Sequence, residues 1–200
     1  MRASLIGTSL MTGAKSTSFM DGPELWFANR GTGFVLLVLL TLSSMLGVLS
    51  TARMSTRLWP RMLSQGLHRN VSMLAVTFLA VHVTTAVLDT FVDIRWWHVL
   101  VPFSGSYMPL WLGLGSVSFD LLIAITLTSL LRHRMSHRPW RTIHVMAYAA
   151  WGLGLLHGLG MGTDASSAWG TALNYGCICV VLVAVVARVG LLVRPKVVTS

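Results

Sequence analysis

Four of the seven histidines in this 200-residue chain lie inside apolar stretches: His68 and His82 in one, His144 and His157 in another. Ionisable residues within segments of membrane length are rare and usually functional. The two separations are 14 and 13 residues, or about 21 and 19.5 Å of helix rise. If both stretches are helices running the same way, each of two depths receives one imidazole from each helix. Two imidazoles can ligate one haem iron from opposite faces, giving a six-coordinate site suited to electron transfer rather than oxygen binding. The expectation is therefore His68 with His144 at one level, His82 with His157 at the other, and two haems stacked across the membrane. A single tetrahedral zinc ion fits less well, because the two levels are too far apart to share it.

Helical geometry favours one of these stretches over the other. Fourteen residues return to within about 40° of the same face, whereas thirteen leave a side chain about 140° away. The helix with His144 and His157 must therefore kink, rotate or present its ligands differently, and Gly152, Gly154, Gly158 and Gly160 would permit distortion and close approach of a macrocycle. Haem carboxylates need cationic or donor partners. Arg69, next to His68, and Arg141, three residues before His144, are candidates at one level, and Arg30 and Arg95 at the other. Asp120 falls mid-way along a third apolar run, where a proton-relay role competes with hydrogen bonding to neighbouring Ser or Thr. His98, His133 and His137 fall between apolar runs and are expected to be solvated or interfacial. Cys177 and Cys179, two apart on a helix, do not face each other and carry no disulfide or metal signal.

The elements that must position these residues are long and apolar. The chain is 54% hydrophobic and only 10% charged, with a mean hydropathy of +0.70, against about 25% charged in average soluble domains. Too little polar surface exists to coat a soluble globule. Five runs, at about 31–52, 67–90, 111–131, 140–162 and 170–193, approach the roughly 20 residues that cross a bilayer as a helix. The expected fold is all-α: an integral membrane bundle of five transmembrane helices, with a flexible outer tail over 1–25, a membrane domain over 26–193 and a cytoplasmic tail over 194–200.

Charge sets the orientation. The net charge of +9 could suggest nucleic-acid binding, but its distribution gives another reason. Arg53, Arg57, Arg61, Arg69, Arg132, Arg134, Arg138, Arg141, Arg188, Arg194 and Lys196 all fall on one side, and no acidic residue joins them. The positive-inside rule makes that side cytoplasmic, with the N-terminus outside and the C-terminus inside. His68 and His144 are then the inner pair and His82 and His157 the outer. Seven of the eight tryptophans fall near run ends, as in an aromatic belt; Trp151 alone is mid-run. The segment 92–110 is too aromatic for a plain linker and is expected to lie on the membrane surface or cap the bundle.

The stretches LHRNVSMLAVTFLAVH and RPWRTIHVMAYAAWGLGLLHGLGMGTD resemble the ferric-reductase-like transmembrane domain family. It includes the membrane parts of ferric reductases and NADPH oxidases and the haem subunit of the bacterial methionine sulfoxide reductase system. The resemblance spans roughly residues 26–193, and its most specific part is the His pair at 14 followed by the His pair at 13. It implies haem b ligated by His68 with His144 and by His82 with His157. It further implies electron transfer in a cytoplasmic membrane from an inner reductant to an outer acceptor such as ferric iron. The chain departs from many members in showing five runs rather than six, and from the larger members, which continue into a flavin- and NADPH-binding dehydrogenase, in showing no glycine-rich dinucleotide fingerprint. A flavin would then act only through a partner, and a separate flavoprotein or a membrane quinol would supply electrons. Two other classes compete: a haem-free membrane anchor or scaffold, and a proton-coupled transporter using Asp120 and the histidines.

Overall fold

The computed structural model describes residues 23–51 and 61–193. Much of both tails and several charges used for orientation (Arg2, Lys15, Arg53, Arg57, Arg194 and Lys196) lie outside the described residues. Those described form helices and no strand: α1 (Glu24–Thr51), α2 (Arg61–Leu88), α3 (Trp96–Leu100), α4 (Pro109–Leu130), α5 (His137–Val145), α6 (Ala147–Met161) and α7 (Ala168–Val193). A short 3-10 turn, Arg132–Arg134, links α4 to α5.

Four segments are long and apolar enough to cross a membrane: Pro23–Ser50, Met62–Leu88, Pro109–Leu130 and Ala168–Gly190. These agree with four of the five expected runs. Large apolar side chains such as Leu127, Leu182, Val183 and Val186 are more than half exposed, as lipid-facing positions would be. The run at 140–162 is not one continuous helix. It is interrupted at Met146, whose ψ of −10° is displaced from the usual helical value, and whose N–H reaches back to Ile143 in a tightened turn. At 15 residues, α6 is about 22 Å long, short of the roughly 30 Å of a hydrocarbon core.

α1 begins at Glu24, two turns earlier than hydropathy suggests. The added turns carry Asn29 and Arg30, which lower the local apolarity without breaking the helix. α1 and α2 pack antiparallel, with Leu36 and Leu39 of α1 and Ala75 and Leu79 of α2 forming a buried cluster. Phe119 and Leu122 of α4 pack onto it. α4 packs chiefly on α6, and α7 on α1. Trp151, mid-way between His144 and His157 in sequence, donates its indole N–H to the Thr41 hydroxyl at 2.9 Å, tying α6 to α1.

The aromatic segment before α4 caps the bundle. The carbonyl of His98 accepts the Ser116 hydroxyl at 2.9 Å, fastening α3 to α4. His98 is buried, at 5% exposure, rather than solvated as its place between apolar runs suggests. Its Nδ1 accepts the Arg95 N–H at 3.1 Å, so the imidazole closes the start of its own short helix. Phe103 and Met108 adopt positive φ, 63° and 39°. That left-handed backbone is costly for non-glycine residues. At Phe103 it accompanies a ring packed where the Gly113 side chain would be.

Candidate functional site: two facing histidine pairs

The structure brings the four intrahelical histidines together in the expected pairs. The ring centroids of His68 and His144 are 6.0 Å apart, and those of His82 and His157 are 6.4 Å apart. A metal–imidazole bond is about 2.0–2.1 Å, and a ring nitrogen lies about 1.1 Å from its centroid for ring bonds of ~1.33 Å. Two imidazoles on opposite sides of one ion therefore have centroids about 6.2–6.4 Å apart. The His82–His157 pair has that spacing at 6.4 Å, and the His68–His144 pair, at 6.0 Å, falls just short of it. Their planes are nearly perpendicular, at 76° and 87°.

Hydrogen bonds settle which ring nitrogens are available. His68 Nδ1 lies 2.9 Å from the Ser43 carbonyl oxygen, His82 Nδ1 3.0 Å from that of Asn29, and His157 Nδ1 2.9 Å from that of Trp111. A carbonyl only accepts, so each Nδ1 carries the proton and each Nε2 keeps its lone pair. Metal-ligating histidines are held in this way by the nitrogen they do not use. His144 differs: its Nδ1 has the Ser129 hydroxyl at 3.4 Å.

A repeated arrangement in α1 holds the two α2 histidines. Ser43 supplies the carbonyl for His68 and Gly47 lies against the ring; Asn29 supplies it for His82 and Gly33 lies against that ring. The two carbonyls, the two glycines and the two histidines are each 14 residues apart, so antiparallel α1 and α2 stay in step. Asn29 also donates its amide to the His82 carbonyl at 2.8 Å. In α4, Trp111 and Gly115 do the same for His157. A Cβ on Gly115 would lie 2.5 Å from His157 Nδ1, one on Gly33 3.1 Å from His82 Cε1, and one on Gly47 3.5 Å from His68 Cε1.

The break at Met146 resolves the 13-residue problem. His157 against Trp111 and Ala150 against Ser118 share one antiparallel offset between α6 and α4. Extended through a continuous helix, that offset would bring His144 to residue 124. Instead it reaches Ser129 and faces His68. The distortion therefore lies at Met146, ahead of the glycines that suggested it in sequence.

A cavity of about 320 Å³ opens between His82 and His157, within the range of about 300–1,000 Å³ for ligand pockets. Leu36, Leu79, Phe119 and Met161 make its interior apolar, while Arg30, Asp89, Tyr107 and Asp164 supply polar groups. Arg30 is ion-paired with Asp164, and its guanidinium carbon is 3.9 Å from the centre of the Trp26 ring. Arg95 pairs instead with Asp93 at 3.0 Å, in the open. Arg69 and Arg141 are exposed and have no hydrogen bond or ion pair among the described residues. Beside His144, Trp140 stacks at 5.0 Å and 23°, and Arg132 lies 4.4 Å over the Trp140 ring.

Among the described residues no group of three or more His, Cys, Asp or Glu side chains could hold a metal ion. The arrangement is not a tetrahedral cage. It offers two facing imidazoles at each of two levels, with a cavity at the His82–His157 pair.

A family model matches residues 24–164. The chain belongs to the family described as Domain of unknown function (DUF8596). The match runs from α1 through α6 and includes all four paired histidines, Asn29, Arg30, Trp111 and Asp164. No curated protein and no solved structure matches the chain.

Proposed function

We propose that this chain is a di-haem b electron-transfer subunit of a cytoplasmic membrane. In this reading it has five spans, with α5 and α6 together forming the fourth, an outer N-terminus and a cytoplasmic C-terminus. The observation that carries the proposal is the pair of facing imidazoles at each of two levels, 6.0 and 6.4 Å between centroids, with three of the four Nδ1 atoms committed to carbonyls. The resemblance to the ferric-reductase-like transmembrane family supports the same reading.

The residues fit a porphyrin. The outer cavity is apolar within and polar at Arg30, Tyr107 and Asp164, matching a flat apolar ring with carboxylates at one edge. The absence of side chains at Gly33 and Gly115 lets His82 and His157 seat closely against neighbouring helices. When bound, haem supplies a one-electron couple at each level. His68 with His144 would hold the inner group and His82 with His157 the outer. The carbonyls of Ser43, Asn29 and Trp111 keep Nε2 of their histidines unprotonated and fix the ring directions. Leu36, Leu79 and Phe119 keep water out between the levels, and Trp151 bridges α6 to α1 there. Electrons would come from a cytoplasmic flavoprotein or a membrane quinol and leave to an outer acceptor such as ferric iron. Arg69, Arg134, Arg138 and Arg141 give the inner face the charge to receive an acidic partner.

The test is ferric-chelate reduction outside proteoliposomes that contain a reductant and haem-loaded protein. The expected result is reduction that is lost in His82→Ala and in His144→Ala. Equal rates for wild type, these variants and protein-free vesicles would refute electron transfer through the two sites.

A further inference from the structure

Trp140 Nε1 is the buried side-chain nitrogen or oxygen among the described residues that has no hydrogen-bond partner. A buried donor left unpaired is costly, and it commonly marks an ion, water or ligand that belongs there. Its neighbours are specific. The indole stacks on His144, and the Arg132 guanidinium lies over its ring. No acidic side chain is within ion-pairing distance of Arg132 among the described residues. Asp164, which neutralises Arg30 at the outer level, has no equivalent here. An N–H donor and an uncompensated cation therefore meet at one end of the inner histidine pair.

We infer that Trp140 and Arg132 form an oxyanion-binding site beside His144, with the indole N–H donating to an anionic oxygen and the guanidinium balancing its charge. The chemistry is that of a carboxylate or a phosphate. Two sources can present it at this depth: the carboxylate edge of a porphyrin held by His68 and His144, or the phosphate of an anionic lipid at the membrane surface. The first source rests on the function proposed above; the second does not. Arg69, Arg132 and Arg141 are all exposed; of the three, Arg132 is the one whose guanidinium lies over the Trp140 ring.

The experiment compares wild type, Trp140→Phe and Arg132→Gln in two arms, with helical content by circular dichroism checking the fold. In the first, haem b and its dimethyl ester are titrated into the His82→Ala background, which leaves only the inner pair. A porphyrin carboxylate at the site predicts that the ester binds roughly tenfold more weakly than haem, as for a lost charge-assisted hydrogen bond, and that either substitution removes the preference. In the second, phosphorus content is measured after purification and after exposure to phosphatidylglycerol or phosphatidylcholine vesicles. A lipid phosphate predicts about one retained anionic lipid fewer per chain in both variants. Either result supports the site. A chain that takes up no haem overturns the functional reading while leaving the lipid arm to decide this one. Folded variants that match wild type in both arms overturn the site, because water would then satisfy the indole.

Discussion

Each paired histidine is held by a neighbour whose role depends on a single atom. Gly115 is the tightest case, because a Cβ there would lie 2.5 Å from His157 Nδ1, far inside contact distance. Gly115→Ala should therefore dislodge His157 and remove about half of the bound haem. Gly47→Ala, with 3.5 Å to the nearest ring atom of His68, should leave haem content unchanged; haem assay per mole of chain checks both. The near-perpendicular ring planes, 76° and 87°, also have an electronic consequence. Perpendicular imidazoles leave two iron d orbitals close in energy. The oxidised protein should therefore give highly anisotropic low-spin electron paramagnetic resonance signals rather than the rhombic set of parallel planes. At this scale the sequence is partly legible. The histidine spacing and its pairing by depth can be read directly. The matching spacing of Asn29 with Ser43 and of Gly33 with Gly47 is also present, but it acquires meaning only once the antiparallel offset of α1 and α2 is known.

Among the elements, the broken helix matters most. A continuous helix over 140–162 would point His144 and His157 about 140° apart. The turn at Met146 removes that conflict without a proline or glycine at the break, which is why hydropathy and composition place it wrongly. Inserting one alanine after Ala150 would rotate the rest of α6 by about 100° and shift it about 1.5 Å. The outer pair should then fail while His68 and His144 remain facing, leaving about one haem per chain. Equal loss at both levels would mean that α5 and α6 act as one rigid helix. The early start of α1 is likewise hidden from hydropathy, because Asn29 and Arg30 are polar. They are there to serve His82 and Asp164, partners 53 and 134 positions away in the chain. His98, expected to be solvated or interfacial, is buried for a related reason: a connection between apolar runs can fold back onto the bundle, as α3 does on α4.

For the whole molecule, the +9 charge and the low content of charged residues describe one object. The described helices expose apolar side chains along their length, and arginines gather at one end of the bundle. In the proposed function that distribution makes His68 and His144 the inner pair and so gives the direction of electron flow. The cavity at His82 and His157 contains a compensated Arg30–Asp164 pair, whereas towards the other end Arg69 and Arg141 are exposed and have no ion pair among the described residues, so the two ends differ in electrostatic character. The most direct measurement is haem b per chain in purified protein, from reduced-minus-oxidised optical spectra and pyridine haemochrome assay, across wild type and four alanine variants. The account predicts two haems in wild type and about one each in His68→Ala, His82→Ala, His144→Ala and His157→Ala, the losses matching within each facing pair. A haem-free wild type, or a haem content indifferent to all four substitutions, would contradict it.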